Sequence, residues 1–544
     1  MKGLSILALL VALGACTRVG TAGDTAGGTG RHPWTVPDTL RVALPGNINT
    51  MNPLLTTQQV ETVTETFAFD PLVATDPEGR DVPVLAAVVP TLENGGISRD
   101  GRTITYHLRR GVVWQDGAPF SSRDVAFSYG AIMNPSNAVP TRHGYDVIAR
   151  AETPDPYTIV LRLKRPFAPF VHTFFAHSDA PYMIVPAHLL ARYHDFNRIP
   201  FNGQPIGTGP YKVVRWLRGD RIEYEANDRY FLGRPKLRKV VVHFIADENT
   251  IINEMRAHEI DWFLQVTPRA YPQLRTVPDV VQRLVSFNGV DSIIFNTRRA
   301  PFDDPRMRRA VGLAIDKHKL VEDVTFGTAF PATEDIPSFM WAFDPTAGTS
   351  VRDVPQAKAL LDAAGWRAGP DGIRTKGQER LTMQLAYRTE SVTDRGRGVL
   401  IAQMLHDVGI DVELKSYTTG LLYGPASENG ILSSGRYQAG LQTWYAGVDP
   451  DDSSQLLCAE QAPRGYNWSR YCTPEMDAAQ SLALTHYDLP TRKRAYSAIQ
   501  HLLARDAPLV YLWWPRQIQA VSVDLHGFRP NGIADDWNAW EWSI

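Results

Sequence analysis

The thirty residues from Asp100 to Tyr129 constrain the fold of this chain more than any other stretch. They begin with an alternation of apolar and polar residues over 103–108, the period of a strand with one buried face. Asp116-Gly117 marks a tight turn, because glycine tolerates positive φ and aspartate bonds the backbone that follows it. Ser121, followed three residues later by Asp124, has the form of a capping box and predicts a helix start. The segment therefore predicts strand, turn and helix in sequence.

As a whole string, DGRTITYHLRRGVVWQDGAPFSSRDVAFSY resembles the signature segment of the family 5 extracellular solute-binding proteins. These are the oligopeptide-, dipeptide- and nickel-binding receptors of bacterial ABC importers. FDPLVATDPEGR at 69–80, GTGPY at 207–211 and the block at 295–330 follow the order of the same family. The resemblance implies an α/β fold with two lobes, of the periplasmic-binding-protein kind (type II, cluster C-like), and an extra small subdomain in the first lobe.

The length of 544 residues leaves room for three or four hydrophobic cores. The resemblance implies that the core of lobe I is made of three separate segments, with a subdomain inserted between the first two. The expected division is signal peptide 1–15, tether 16–37, lobe I core 38–75, 200–295 and 509–544, inserted subdomain 76–199, and lobe II 296–508.

The first sixteen residues have the form of a targeting segment. Lys2 precedes an apolar run, Leu4–Leu13, that is too short to span a bilayer. Leu13-Gly14-Ala15-Cys16 resembles a bacterial lipobox, so we expect the mature chain to start at an acylated Cys16. The alternative is an ordinary secretory peptide whose cysteine is incidental. The Gly- and Thr-rich residues 17–35 then predict a flexible tether to a membrane surface.

Composition and motifs argue against several other classes of protein. A net charge of −2 gives no basic surface for nucleic acid. The sequence contains no HExxH, no CxxC and no G-x-S-x-G, and His172 and His177 fall on different faces of a helix. Gly207–Tyr211 lacks the Lys-Ser/Thr ending of a phosphate loop and is interpreted as the start of a strand. We therefore expect no enzyme and no cofactor.

One acidic stretch imitates part of a calcium loop. Asp449, Asp451 and Glu460 fall at its first, third and twelfth places, but Ser454 stands where the sharp turn needs glycine. A polar turn before a short helix explains the stretch better. The sequence therefore predicts no metal site.

Two cysteines remain once Cys16 is assigned to the lipid. Cys458 and Cys472 lie close in sequence, around a segment rich in turn-forming residues, in a protein that we expect to be exported to an oxidising compartment. We predict that they form one disulfide. Two buried free cysteines are the alternative.

The resemblance also implies where a ligand binds. The strand 438–444 leads to aromatic residues that contact the ligand in this family, here Trp444 and Tyr445. The loop after the first strand of lobe I faces the ligand. The expected ligand-binding residues are Gly46, Asn47, Tyr417, Trp444, Tyr445, Gly447 and Asp449.

The loop after Trp444 departs from the family pattern. Peptide receptors of the family carry an acid three residues after this Trp, and it pairs with the α-amino group of the peptide. Here that position is Gly447, and the segment is one residue shorter, although the pair Asp449-Pro450 is kept. Either Asp449 has taken over the anchoring role, or the ligand has no free amino terminus. We favour the second interpretation, because a desolvated ammonium without an acid is costly.

These observations predict a monomeric substrate-binding lipoprotein of an ABC importer. It would hold a peptide or a related solute between its lobes, outside the cytoplasmic membrane or in the periplasm, and deliver it to permease subunits. A receptor for a nickel chelate or another non-peptide solute is the alternative with the same fold. A secreted hydrolase is the alternative from a different class.

Overall fold

The structure is a computed structural model that describes residues 31–56, 59–176, 182–349 and 351–544. The predicted signal peptide, Cys16 and residues 17–30 of the tether lie outside the described residues, as does His177. Residues 31–37 pack against the folded chain, where the His32 Nδ1 atom lies 2.8 Å from Asp524 and the Trp34 ring stacks on His258. Among the helices of the described part, none is long and apolar enough to cross a membrane.

The strands fall into one large mixed sheet and three small ones. In chain order they are β1 (Thr39–Leu44), β2 (Val73–Thr75), β3 (Asp81–Pro83), β4 (Thr103–His107), β5 (Ile148–Asp155), β6 (Thr158–Leu163), β7 (Tyr211–Leu217), β8 (Arg221–Ala226), β9 (Lys239–Phe244), β10 (Trp262–Val266), β11 (Val280–Ser286), β12 (Gly289–Phe295), β13 (Ala329–Pro331), β14 (Arg367–Ala368), β15 (Arg374–Lys376), β16 (Glu379–Arg380), β17 (Thr382–Arg388), β18 (Asp411–Tyr417), β19 (Ala439–Tyr445) and β20 (Leu509–Ser522).

Many of the helices begin at a side chain that accepts a backbone N–H of the first turn, as Asp304, Asp353, Ser391 and Asp488 do. In chain order the helices are α1 (Gln59–Thr66), α2 (Ser122–Met133), α3 (Phe170–Thr173), α4 (Ala187–Leu190), α5 (Glu248–Arg256), α6 (Tyr271–Leu274), α7 (Pro305–Ala314), α8 (Lys317–Thr325), α9 (Val354–Ala363), α10 (Val392–His406), α11 (Thr419–Tyr423), α12 (Ser453–Leu456), α13 (Pro474–Thr485) and α14 (Leu489–Asp506).

The large sheet has the strand order β18-β17-β19-β12-β20-β10-β1-β9-β8-β7, with β11 and β13 also paired to β20. The first half of β20 pairs with β12 and β13, and its second half pairs with β10 and β11. We call the part of the chain on the β10 side the first lobe and the part on the β12 side the second lobe. The sequence predicts a strand over 509–514 that returns the chain to the first lobe; in the structure β20 extends to Ser522, and its second half belongs to that lobe.

The chain crosses between the lobes at 287–288 and near Pro515. Strand pairing assigns 289–295 and 509–513 to the second lobe, whereas the sequence assigned both ranges to the first. The division into segments otherwise stays a prediction. The crossings between the lobes are better placed at 287–288 and Pro515, where the strand pairing changes.

The predicted strand, turn and helix of the signature segment are confirmed. β4 buries Ile104 and Tyr106 and pairs with β6, which in turn pairs with β5, in a small separate sheet. Gly117 has φ of +99°, and the capping box joins Ser121 to Asp124 at the start of α2. These elements lie within the range 76–199 that the sequence assigns to an inserted subdomain, and that assignment stays a prediction.

Gln115, in the turn of the signature segment, ties this subdomain to the core of the first lobe. Its buried amide donates to the carbonyl of Tyr211 at 2.8 Å and also reaches the carbonyls of Ala68 and Gly209. Its Oε1 atom accepts from the backbone N–H of Gly207 at 3.1 Å. One side chain therefore satisfies backbone groups of two segments far apart in sequence.

The close approach of this segment to the backbone of Ala68 explains the two glycines of GTGPY. A Cβ atom on Gly207 would lie 1.8 Å from the carbonyl oxygen of Ala68, and one on Gly209 would lie 2.4 Å from its carbonyl carbon. Only glycine permits this approach of the two backbones. The interpretation of the motif as structural rather than phosphate-binding agrees with the strand β7 that follows it.

The arginines at 306, 308 and 309 are spread around α7, which predicts a solvated or ion-paired face, and Arg308 departs from this prediction. Arg306 does pair with Asp304. Arg308 is buried instead, and its guanidinium donates to the carbonyls of Phe302, Asp506 and Ala507. These carbonyls lie beside α7 and at the end of α14, so Arg308 holds the two helices together.

Cys458 and Cys472 are joined in the structure, with their Cα atoms 4.8 Å apart and a sequence separation of 14. The bond closes the loop that follows α12, next to the predicted ligand-facing segment.

Replacing Gln115 tests the contact between the subdomain and the core. Gln115→Leu should lower the free energy of unfolding by about 2–4 kcal/mol, because it leaves several buried backbone groups without partners. Urea denaturation measures this loss. Gln378→Leu, on an exposed turn, is the matched control. A Gln115→Leu protein within about 0.5 kcal/mol of the parent would contradict the assignment.

Removal of the disulfide should have a comparable effect. The double variant Cys458→Ser, Cys472→Ser should lose about 3 kcal/mol, the value for closing a loop of this length in the unfolded chain. The measurement is urea denaturation of both proteins without reductant. Two free thiols found by mass mapping of the unreduced parent protein would contradict the pairing.

Candidate functional site

A chamber of about 1060 Å³ lies between the two lobes. The first lobe contributes the turn between β2 and β3, the end of β11 and the C-terminal segment 528–533. The second lobe contributes Phe339–Trp341 and the backbone around Gly447 and Val448. A cavity of this volume is large enough for a small organic ligand or a short peptide. Each wall belongs to a different lobe, so an occupant contacts both.

A smaller chamber of about 310 Å³ adjoins it along the crossing strands. Phe287, at one crossing, lines both chambers, and its ring stacks on Tyr445 with centroids 5.3 Å apart. Arg388 and Arg516 bring positive charge to the smaller chamber, and Asp535 brings a carboxyl group. Burial, with the neighbouring Asp536, raises the pKa of Asp535 to about 8.

The positive charge of Arg388 is balanced within the second lobe. Its guanidinium donates to the buried carboxylate of Asp394 at 2.7 Å, and Arg397 donates to the same carboxylate at 2.8 Å. Arg397 also pairs with Asp291, which accepts from Thr443 of β19. Burial alone would raise the pKa of Asp394, but the two guanidinium groups outweigh it and lower that pKa. This network fixes the wall of the smaller chamber.

A second chain of charges runs from one lobe to the other. Asp449 is buried and accepts two hydrogen bonds from Arg492, at 2.7 and 2.8 Å. On its other side the Nδ1 atom of His172, from the subdomain, lies 3.7 Å away, an ion-pair distance. The Nε2 atom of His172 lies 2.9 Å from Asp81 of β3. The imidazole therefore bridges a carboxylate of each lobe.

The neighbouring charged groups determine the protonation states of His172 and Asp449. Burial would lower the pKa of His172, but Asp449 and Asp81 outweigh it and raise that pKa to about 9. Burial would raise the pKa of Asp449, yet Arg492 and His172 bring it well below its usual range. At neutral pH the bridge is an imidazolium between two carboxylates.

Neutral contacts join the lobes nearby. The Tyr487 hydroxyl donates to the carbonyls of Gly101 and Phe167 at 3.0 Å, and the N–H of Ala168 donates to Leu484. The subdomain thus rests against the segment that joins α13 to α14.

Comparison with known proteins assigns the family. A sequence model described as "Bacterial extracellular solute-binding proteins, family 5 Middle" matches residues 71–463, which is more than half of the chain. The chain belongs to family 5 of the bacterial extracellular solute-binding proteins.

Two curated relatives resemble this family 5 chain over most of their length. The oligopeptide-binding protein AppA of Bacillus subtilis is 24% identical over 562 residues, with 99% of this chain and 97% of AppA covered. The glutathione-binding protein GsiB of Salmonella choleraesuis is 27% identical over 514 residues, with 90% of this chain and 91% of GsiB covered. Both are named as binding proteins.

Solved structures of family 5 type confirm the predicted fold class. NikZ from Campylobacter jejuni, in complex with Ni(L-His), has a TM-score of 0.79 at 23% identity and covers 94% of this chain and 100% of its own. AppA from Bacillus subtilis, in complex with a nonapeptide, has a TM-score of 0.76 at 23% identity and covers 93% and 98%. The fold is that of the two-lobed type II periplasmic binding proteins.

The predicted ligand-binding residues near β19 occupy different positions. Tyr445 is 53% exposed and lines the smaller chamber, and Gly447 lines the larger one. Trp444 packs in the second-lobe core against Tyr466. Asp449 lies behind the wall with its carboxylate engaged by Arg492. Their roles in binding stay a prediction.

The remaining three predicted residues lie elsewhere. Gly46 and Asn47 follow β1, and Tyr417 ends β18; none is among the described residues that line either chamber. Sequence reasoning missed His172, Arg388 and Arg492. His172 was considered only as a metal ligand, and the arginines lie in a strand and a helix without any motif. His172 and Arg492 have no local signal, because their shared partner Asp449 is distant in sequence.

The His172 bridge predicts a pH dependence of stability. The pKa of His172 is raised above its unfolded value, so its contribution is fully present below about pH 6.5 and is lost as the pH rises through about 9. We expect a loss of about 2–3 kcal/mol across this window by urea denaturation. His172→Gln should lack that component, and His406→Gln, exposed at the end of α10, should keep it. An equal pH profile for the parent and His172→Gln would contradict the bridge.

Proposed function

We propose that this protein is the substrate-binding lipoprotein of an ABC importer, which captures a peptide or a related solute between its lobes and delivers it to permease subunits. The observation that carries the proposal is the chamber of about 1060 Å³, whose two walls come from lobes that the backbone connects at 287–288 and near Pro515. Membership of family 5 and the likeness to AppA and GsiB support it. The protein carries its solute and does no chemistry on it.

Closure follows from the position of the ligand. A solute that contacts both walls binds the closed arrangement better than the open one, and this difference in affinity shifts the population to the closed form. The crossings at 287–288 and Pro515 are where a hinge motion would act. The closed form then docks on the permease. In this proposal the protein acts as a monomer, held outside the cytoplasmic membrane through acyl chains on Cys16.

The charges around the loop after Trp444 bear on the class of ligand. Both oxygens of Asp449 are bound by Arg492, and His172 faces the same carboxylate. An incoming ammonium group would have to compete with a guanidinium that is already paired and buried. This supports the interpretation that the ligand has no free amino terminus, as in a blocked or modified peptide or another neutral solute.

A nickel chelate is the alternative ligand class in this fold. Among the described residues that line the larger chamber, the imidazole is that of His172. Both of its nitrogens face carboxylates, so it presents no free lone pair to a metal. This observation favours a peptide-like solute over a chelate.

The decisive experiment identifies the bound solute. Mass spectrometry of material released from protein purified under mild conditions should find a peptide or modified peptide. A nickel complex would favour the alternative ligand class, and a substrate converted to product on incubation would favour a hydrolase.

Calorimetry with matched peptides tests the amino-terminal prediction. Free and N-acetylated forms of the peptide found by mass spectrometry should bind the parent protein with affinities that agree within about threefold, since the carboxylate of Asp449 is already paired with Arg492. A preference for the free amine greater than about tenfold, lost in Asp449→Asn, would restore Asp449 as the amine anchor.

Aromatic contacts give a further test. Tyr445→Ala should lower the affinity for the same solute by about tenfold, since it removes an exposed ring from the chamber wall. Trp444→Phe should change the ligand-induced fluorescence, because Trp444 lies directly before that ring. Tyr157→Ala, in the turn between β5 and β6, is the control. If Tyr445→Ala leaves affinity unchanged and Trp444→Phe leaves the fluorescence change intact, the assignment of this wall fails.

A further inference from the structure

A recess of about 360 Å³ opens beside the two chambers, at the crossing near Pro515. It shares Ser286 and Phe339 with the larger chamber and Pro515 with the smaller one. Its other lining residues are Phe330, Pro337, Ser338 and Trp514. We call this space the aromatic recess. Because the recess and the larger chamber share lining residues, a solute held in that chamber can extend a side chain into the recess.

The lining of the aromatic recess differs in chemistry from that of the larger chamber. None of the seven described residues that line the recess carries a formal charge, and the polar side chains among them are two serines. The first-lobe wall of the larger chamber, in contrast, carries the charged residues Asp76, Glu78, Asp81, Arg283 and Arg529. A solute therefore meets polar groups on the first lobe and an apolar space at the crossing.

Trp514 forms a fixed wall of the aromatic recess. Its indole N–H donates to the carbonyl of Glu334 at 2.9 Å, and its ring meets Phe343 edge-on with centroids 5.7 Å apart. Phe330 lies directly opposite Trp514 in the pairing of β13 with β20. Residues that face each other in adjacent antiparallel strands present their side chains on the same face of the sheet. The two rings therefore line the recess together.

The other rings of the aromatic recess are exposed to solvent. Phe330 is 45% exposed and Phe339 is 54% exposed. The guanidinium of Arg516 lies 4.3 Å from the centre of the Phe330 ring and donates to two backbone carbonyls, so it holds this ring in place. The exposed phenylalanines of the described chain are these two and Phe326. Exposed rings that surround one recess mark a place where an apolar group binds.

We propose that the aromatic recess is a specificity subsite, which takes a large apolar side chain of the solute held in the larger chamber. The inference rests on the proposed function and names the solute that the receptor selects, a peptide or derivative with an aromatic or branched aliphatic side chain. Such a side chain leaves water for a space bounded by three rings and two prolines. A charged side chain would lose its hydration there without gaining a partner.

The position of the aromatic recess couples its occupant to closure. Ser286 belongs to β11 of the first lobe, Phe330 and Phe339 belong to the second lobe, and Pro515 lies at the crossing. A side chain in the recess therefore contacts both lobes. Its burial adds to the difference in affinity between the closed and the open form.

A small aromatic probe tests the aromatic recess without any peptide. 4-Fluorobenzyl alcohol is titrated, with detection by ¹⁹F NMR, into full-length protein that has been freed of bound solute by unfolding in urea and refolding. We expect one saturable site with a Kd of about 1–10 mM, as a ligand of this size allows. Phe330→Ala should weaken the binding by about fivefold or more. Phe326→Ala, which removes an equally exposed ring outside the recess, should leave it unchanged.

N-acetylated tripeptides then test the selection of the solute. Both of their end residues are alanine, and the central residue is alanine, leucine or phenylalanine. By calorimetry, the leucine and phenylalanine peptides should bind the parent protein about tenfold or more tightly than the alanine peptide, because only their side chains fill the recess. This ratio should fall by about threefold or more in Phe330→Ala and stay unchanged in Phe326→Ala.

The remaining outcomes separate this subsite from the proposed function. No probe binding up to about 20 mM, or equal binding by the parent and Phe330→Ala, overturns the subsite. Equal affinities for the three peptides overturn it as well and leave the receptor function standing. Probe binding that depends on Phe330, with no binding of any peptide, supports the subsite and counts against a peptide as the solute. If Phe330→Ala fails to fold, Ser338→Asp brings a charge to the exposed edge of the recess, and unchanged probe affinity in that variant overturns the proposal equally.

Discussion

The structure depends on one strand that belongs to both lobes. Residues 509–513 of β20 pair with β12, and residues 516–522 pair with β11. The pairing of β20 changes from β12 to β11 near Pro515. Proline has no backbone N–H, and this lack destabilises a sheet least where the pairing changes. The other crossing, 287–288, lies between β11 and β12 themselves. The two lobes are therefore held by continuous backbone, and only these short segments need to change when one lobe moves relative to the other.

Two of the charged residues in the walls that these crossings bring together are balanced inside the protein. Arg492 neutralises Asp449, and Asp394 neutralises Arg388. Buried pairs of this kind add little net stability, because desolvation offsets their attraction, but removal of one partner is costly. They fix the loop after β19 in one conformation. A solute thus meets Asp449 and Arg388 already paired, which is consistent with a ligand that lacks a free amino terminus.

The sequence was sufficient where structure is local. The strand, turn and capped helix of the signature segment follow from periodicity, caps and turns within a few residues. Pairing over long distances was not predictable in this way. Arg492 lies 43 residues from Asp449, and Gln115 lies 96 residues from the carbonyl of Tyr211 that it binds. Arg308 has the sequence context of a surface arginine, and only the end of α14 beside it makes it a buried one. The family resemblance supplied the fold, but it could not supply these partners.

The contacts between the lobes are weak enough for a solute to control. Opening the cleft would break the bridge of His172 to Asp449, the bonds of Tyr487 to two carbonyls, and the bond between Ala168 and Leu484. A partly exposed ion pair contributes at most about 1 kcal/mol and each neutral hydrogen bond about 1 kcal/mol, so these contacts together contribute about 3–4 kcal/mol. Reversal of an equilibrium from 1:99 to 99:1 takes about 5.5 kcal/mol of differential affinity. A solute that contacts both walls can supply this differential affinity. The strand pairing of β20 on either side of Pro515 stays intact while the lobes open and close.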